Sequence, residues 1–254
     1  MAEMKALLVR IGIDHKEGHW NAPVDAQGQF VYVPIPEWPD AVFHAIPGRR
    51  YERRYDDVIP ALQLFCQRHN LDLHRDLHFP QELLGQPMHL DADFEYLTYG
   101  DAGNKGVILS KVSPGDLLVF YSGLRPVHQW KDNLVYALIG IFKVQEVVPA
   151  ADVLQDRWHE NAHTRRTNYR SADEIVVRAD QEGDTSGRFN HCIPIGEWRD
   201  GAYRVRQDVL DAWGGLSVKN GFITRNGVPP TFNRPGQFLD WLRKQGIQLI
   251  PRNN

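Results

Sequence analysis

Cysteine is nearly absent from this chain. Its two thiols, Cys66 and Cys192, lie far apart in 254 residues and form no CxxC pair, which excludes a disulfide framework, a zinc ribbon and a dithiol redox centre and predicts buried thiols. Long apolar runs are missing too: nothing approaches the run of about 20 apolar residues that a membrane helix needs. The first residues show no signal-peptide cleavage pattern, so a cytoplasmic protein without membrane contact is expected. Nor does charge of one sign dominate. Lys plus Arg number 29 against 32 Asp plus Glu, a formal net charge of −3, so any nucleic-acid contact needs a local basic patch. GxGxxG, GxxxxGK[ST], GxSxG and PCxxC are absent, which removes support for dinucleotide, P-loop, hydrolase-elbow and zinc-deaminase readings.

What is there is ordinary globular material, 42% hydrophobic and 11% aromatic. Residues 4–13 (MKALLVRIGI) read as a buried strand, and residues 30–37 (FVYVPIPE) as a strand confined to an edge by Pro34 and Pro36. Residues 57–69 predict a helix, with Pro60 in its first turn, acids at its start and Asn70 as its C-terminal cap. From Gly106 the pattern turns to repeated short β segments: GVILSKV, DLLVFYSGL from Asp116, LVYALIGIFKVQEVV over residues 134–148, EIVVRA from Glu174 and RFNHCIPI from Arg188. Further helices are predicted over residues 207–213, capped by Gly214, and 235–245, ended by Gly246. Many strands with few helices between them predict an α+β fold, a curled mixed β-sheet or small barrel with flanking helices. No repeat or low-complexity linker is present, so residues 1–254 are expected to form a single domain with a β-rich core around 106–200.

Three constellations offer chemistry. In residues 89–95 (HLDADFE) ionisable groups alternate with apolar ones, and in a strand His89, Asp91, Asp93 and Glu95 share one face. An imidazole and three carboxylates crowded there must be solvated, hold a cation or share protons. Tyr99 and Asp101 follow closely. The second constellation, residues 159–163 (HENAH), matches the HExxH of zinc peptidases, but its polar flanks lack the apolar helix face that such enzymes pack into the core. Arg157, Arg165, Arg166 and Arg170, interleaved with Trp158, His159, His163 and Tyr169, read instead as a basic, aromatic tract for phosphates and bases, or as a solvated arginine loop. The third is a pair of Ser-Gly turns beside Arg125 and Arg188, with Trp130 and Lys131 nearby. Glycine there admits a ligand to the backbone, although hairpins use the same residues. Residues 224–227 (TRNG) read as a turn.

KALLVRIGID, WNAPVD at residues 20–25, FVYVPIPE, HLDADFEYLTYGD, GDLLVFYSGL and NAHTRR at residues 161–166 together resemble the nucleotide-modification-associated domain family, third type, over most of the chain. Where that pattern has proline, Ala92 stands here, with the neighbouring acids in place. The resemblance implies a place in phage and bacterial systems that hypermodify DNA bases. GDLLVFY and YALIGIFKVQEV are also similar to strands of PUA-like barrels, the group of ASCH and EVE domains that handle RNA or modified DNA bases, and imply a PUA-like barrel. The expected function is a DNA base-modification protein acting on, or producing, a modified nucleobase. His89, Asp91, Asp93, Tyr99 and Asp101 are its expected catalytic residues, through general acid/base action or metal ligation. Asp14, Trp20, Asn21, Arg125, His163, Arg165, Arg166 and Arg188 are expected to contact nucleic acid. No metal ligand set is assigned and the cofactor stays open. The expected partners are DNA, or RNA, bearing a modified base, together with other enzymes of a base-modification pathway. The rival reading is a non-catalytic PUA-like reader in which Trp20, Tyr99, Tyr121, Trp130 or Trp158 stacks on the base.

Overall fold

The computed structural model describes residues 3–128, 133–169, 171–183, 185–223 and 228–254; Trp130, Lys131, Arg170 and the expected turn at 224–227 lie outside the described residues. Its frame is an eight-stranded mixed sheet: β1 (Ala6–Arg10), β2 (Pro23–Val24), β3 (Thr98–Asp101), β4 (Leu117–Pro126), β5 (Val135–Pro149), β6 (Ile175–Ala179), β7 (Gly187–Pro194) and β8 (Leu249–Ile250). The path runs β1-β4-β5-β6-β3, with β7 joining β5 to β8 and β2 lying along β4. β1 is parallel to β4, whereas β5 is antiparallel to β4, β6 and β7. Among the described residues β1 and β3 do not pair, so the expected barrel is not closed.

The helices are α1 (Ile59–His69), α2 (Gly103–Leu109), α3 (Ala162–Arg165), α4 (Gln207–Trp213) and α5 (Pro235–Arg243). Residues 117–121 of β4 and 135–142 of β5 are continuous apolar runs because both faces of the sheet are covered there. Leu118, Phe120 and Phe142 enter one buried layer with Leu62, Phe65 and Cys66 of α1. Leu117, Val119 and Tyr121 enter the opposite layer with Leu210 and Trp213 of α4 and Phe238 of α5. Both cysteines are buried free thiols, and burial pushes the Cys192 thiol up to about 12. No helix among the described residues is long and apolar enough to cross a membrane.

Three expectations need correction. GVILSKV opens as the end of α2, not as a strand: Gly106 and Leu109 turn inward at helical spacing while Val107 stays exposed. Gly106 packs so closely on the Asp173 carbonyl that no side chain fits there. FVYVPIPE forms a ladder only at Ile35–Pro36, paired with Met88–His89, since proline offers no N–H to extend it. α1 begins at Ile59, two residues late, because Asp57 belongs to a separate 3-10 turn (Tyr55–Asp57) where it pairs with Arg50 at 2.5 Å.

Candidate active site

The short ladder between Ile35–Pro36 and Met88–His89 delivers the first pair of functional groups. Glu37, the next residue on, reaches His89 with its Oε2 3.0 Å from Nδ1. Beyond His89 the chain leaves the ladder; the Asp91–Ala92 peptide bond is cis, and the Asp91 carboxylate turns toward β3. Its two oxygens accept the Gly100 N–H at 3.0 and 2.8 Å, and Oδ1 also accepts Asn161 Nδ2 at 3.1 Å. Asn161 caps α3 by accepting the His163 N–H at 2.9 Å. That cap sets His163 against Gly100, where an added Cβ would lie 2.5 Å from His163 Cδ2 and 2.9 Å from Asn161 Oδ1, so only glycine serves at this point of β3. Glu174, immediately before β6, meets His163 Nδ1 at 2.7 Å. Arg166, one residue past α3, ties the halves together: Nη1 is 3.1 Å from Glu37 Oε1 and Nη2 is 2.8 Å from Glu174 Oε2. Its guanidinium lies over the half-buried Trp38 ring, 4.7 Å from the centroid.

The outcome is two imidazoles, each with Nδ1 against a glutamate and Nε2 toward Asp91 Oδ2, at 3.4 Å from His163 and 3.9 Å from His89. These groups border a cleft of about 450 Å³ whose lining also includes Arg10, Glu17, Trp38, Tyr99, Asp101 and Lys105. Burial alone would raise the Glu37 carboxyl, but the His89 ring and Arg166 outweigh it and hold the group at about 2. Burial likewise opposes charge on His163, yet hydrogen bonds to Asp91 and Glu174 raise it to about 9. Burial pushes Asp91 above the usual carboxylate range, so the Asp91–His163 pair holds a proton at neutral pH. The Tyr99 phenol is raised far above its ordinary value by burial and by Asp101, whose Oδ2 accepts its hydrogen at 2.7 Å.

The expected single face of residues 89–95 is not formed. Asp93 bridges to Thr98 across a tight turn, which reverses the chain and sends Asp91 and Asp93 to different surroundings. Asp93 is fully buried against Arg165, with Oδ2 2.5 Å from Nη2, while Glu95 points outward. His89, Asp91, Tyr99, Asp101, His163 and Arg166 do converge on the cleft. Asp14 pairs with Arg10 at 2.8 Å and caps its own loop. Trp20 is buried with Nε1 on the Leu77 carbonyl, Asn21 bonds the Gly123 carbonyl, and Arg125 also reaches Leu77. Arg188 is buried over Phe30. In residues 159–163 the extended Asn161 separates His159 and Glu160 from α3, so HExxH is not on one helix, and Glu160 is bound by Arg157 and Arg178 instead. Sequence reading missed Glu37, Glu174, Asn161, Gly100 and Trp38. Glu37 closes one apolar run and Glu174 opens another, a weak signal that each run borders something polar and buried.

Fold and site together define an α+β protein whose cleft is built around a buried imidazole–carboxylate cluster. The chain belongs to the family Nucleotide modification associated domain 3, which matches residues 5–220 and so takes in every cleft residue named above. No curated protein and no solved structure matches it.

Proposed function

We propose that the chain is a nucleobase-modifying enzyme acting on DNA and that the cleft is its active site. Its family is associated with nucleotide modification. One observation carries the catalytic reading: Glu37, His89, Asp91, His163 and Glu174 form one imidazole–carboxylate cluster, braced by Arg166, with both histidines and Asp91 on the cleft wall. A module that only reads a base needs stacking and hydrogen-bonding surfaces, whereas two imidazoles held against one buried carboxylate are suited to moving a proton at a bound atom. A volume of about 450 Å³ accommodates a base with its sugar. The carboxylates at the floor repel phosphate, so the base enters, stacked on Trp38, while phosphate stays near Arg10 and Lys105.

Nucleoside mass spectrometry on DNA and RNA from cells expressing the chain with its neighbouring genes tests this reading. A new nucleoside mass in DNA that disappears with Asp91→Asn is expected. Identical nucleoside profiles would overturn catalysis and favour the reader.

A further inference from the structure

We propose that His89, Asp91 and His163 bind one divalent first-row transition-metal ion at the floor of the cleft. Their ligand atoms, one from each residue, lie within 4.8 Å of one another. The ladder of residues 35–36 and 88–89 places His89, the turn before β3 places Asp91 and the capped start of α3 places His163, and these three positions converge.

The decisive feature is the orientation of the rings. A carboxylate accepts, so Nδ1 of His89 donates to Glu37 at 3.0 Å and Nδ1 of His163 donates to Glu174 at 2.7 Å; Arg166 Nη2, 3.1 Å from that Nδ1, donates to the same Glu174 oxygen at 2.8 Å. In the neutral rings each Nε2 then presents a lone pair toward the same Asp91 oxygen, the spot that the proton of the Asp91–His163 pair occupies until a metal ion displaces it. Two nitrogens and a carboxylate converging on one spot need a positive charge among them, and a metal ion can take the place of the proton there. Carboxylate partners behind ligating histidines fix the tautomer and raise the basicity of the ligating nitrogen, and here both histidines have one. Arg166 spans Glu37 and Glu174 and fixes both partners from a buried position. Two nitrogens and one carboxylate oxygen suit manganese, iron, cobalt, nickel or zinc better than calcium or magnesium, which favour oxygen alone, and three protein donors leave positions open to the cleft. The site rests on the reading of the cleft as an active site only for its purpose; its existence is measurable without a substrate.

The test is a titration of the chelator-treated, dialysed chain with cobalt(II) chloride, following visible d–d absorption and thermal stability. One equivalent is expected to bind and to raise the melting temperature. His89→Ala and His163→Ala are expected to lose both signals, and Glu37→Gln or Glu174→Gln to weaken binding by about 10- to 100-fold. His159→Ala, in the HExxH segment, should bind as wild type. Circular dichroism checks folding, and His89→Ala, the less buried of the two histidine changes, decides if His163→Ala does not fold. No saturable binding of cobalt, zinc or manganese, or unchanged binding in a folded His89→Ala chain, would overturn the proposal. Metal binding without any Asp91-dependent nucleoside would remove the modification reading and leave the metal site. Asp91-dependent modification that survives chelation, with no metal bound, would do the reverse.

Discussion

Asp91 and Asp93 stand two residues apart, and Arg165 and Arg166 are neighbours, yet these four build two different assemblies. Arg166 braces the glutamates that hold the rings facing Asp91, and that assembly borders the cleft. Arg165 meets Asp93 at 2.5 Å, donates its Nε to the His159 carbonyl, and has Asn253 closing over the same carboxylate from the C-terminal end. The second pair is the more buried, with Asp93 at 0% exposure against 6% for Asp91. Burial is therefore not what marks the site. In the sealed pair one guanidinium balances one carboxylate, and neither side chain lines the cleft. Around Asp91 the nearest basic groups are imidazoles already committed to glutamates, which leaves an imbalance that a proton or a metal ion settles.

The largest expected effect falls on the sealed pair. Arg165→Met leaves the fully buried Asp93 carboxylate without its cationic partner and should cost about 3–5 kcal/mol in urea unfolding. A cost under about 1 kcal/mol would mean that Asp93 is solvated or neutral, and the distinction between the two assemblies would collapse. Gly100→Ala should come next, at about 1–3 kcal/mol, because the new methyl group collides with His163 and Asn161. It should also abolish cobalt binding, whereas Arg165→Met should retain it in whatever fraction remains folded. Asn253→Ala removes the acceptor of the Phe94 N–H and a donor to Asp93, each at about 3 Å. A loss of about 1 kcal/mol is expected by the same unfolding assay, with any nucleoside modification unaltered.

Much of the frame was legible because strands buried on both faces leave long apolar runs, as at β4 and β5, and because Gly214 and Asn70 terminate helices by the left-handed conformation they adopt. The same logic failed where a run was short. GVIL carries no length or β-branching bias strong enough to decide its period, and packing against Asp173 chose the helix. The site was half legible. His89, Asp91 and Asp101 stood out as ionisable groups crowded along the chain, and alternation then misplaced Asp93 because a two-residue period holds only while the strand continues, which it does not beyond His89. Glu37 and Glu174 were invisible as site residues since their partners lie 52 and 11 positions away, a pairing created by the ladder and by α3 rather than by local spacing.

The smallest expected change in stability belongs to Asp91→Asn, and it separates the two assemblies most sharply. Burial already disfavours the ionised Asp91 side chain, so removing its charge takes little from the folded state. The amide oxygen, placed at Oδ1, still accepts the Gly100 N–H at 3.0 Å and Asn161 Nδ2, while the amide nitrogen at Oδ2 gives up the 2.8 Å acceptor contact with Gly100 and can donate only to an imidazole nitrogen that carries no proton. Unfolding free energy should stay within about 1 kcal/mol of wild type, since the acceptor contacts at Oδ1 persist and the change at Oδ2 is that of one hydrogen bond. Cobalt binding and any modified nucleoside should nevertheless vanish, since an amide neither accepts a proton nor ligates as an anion. A loss as large as that of Arg165→Met would show that Asp91, too, belongs to a closed ion-pair network, and that the cleft cluster serves the fold rather than chemistry.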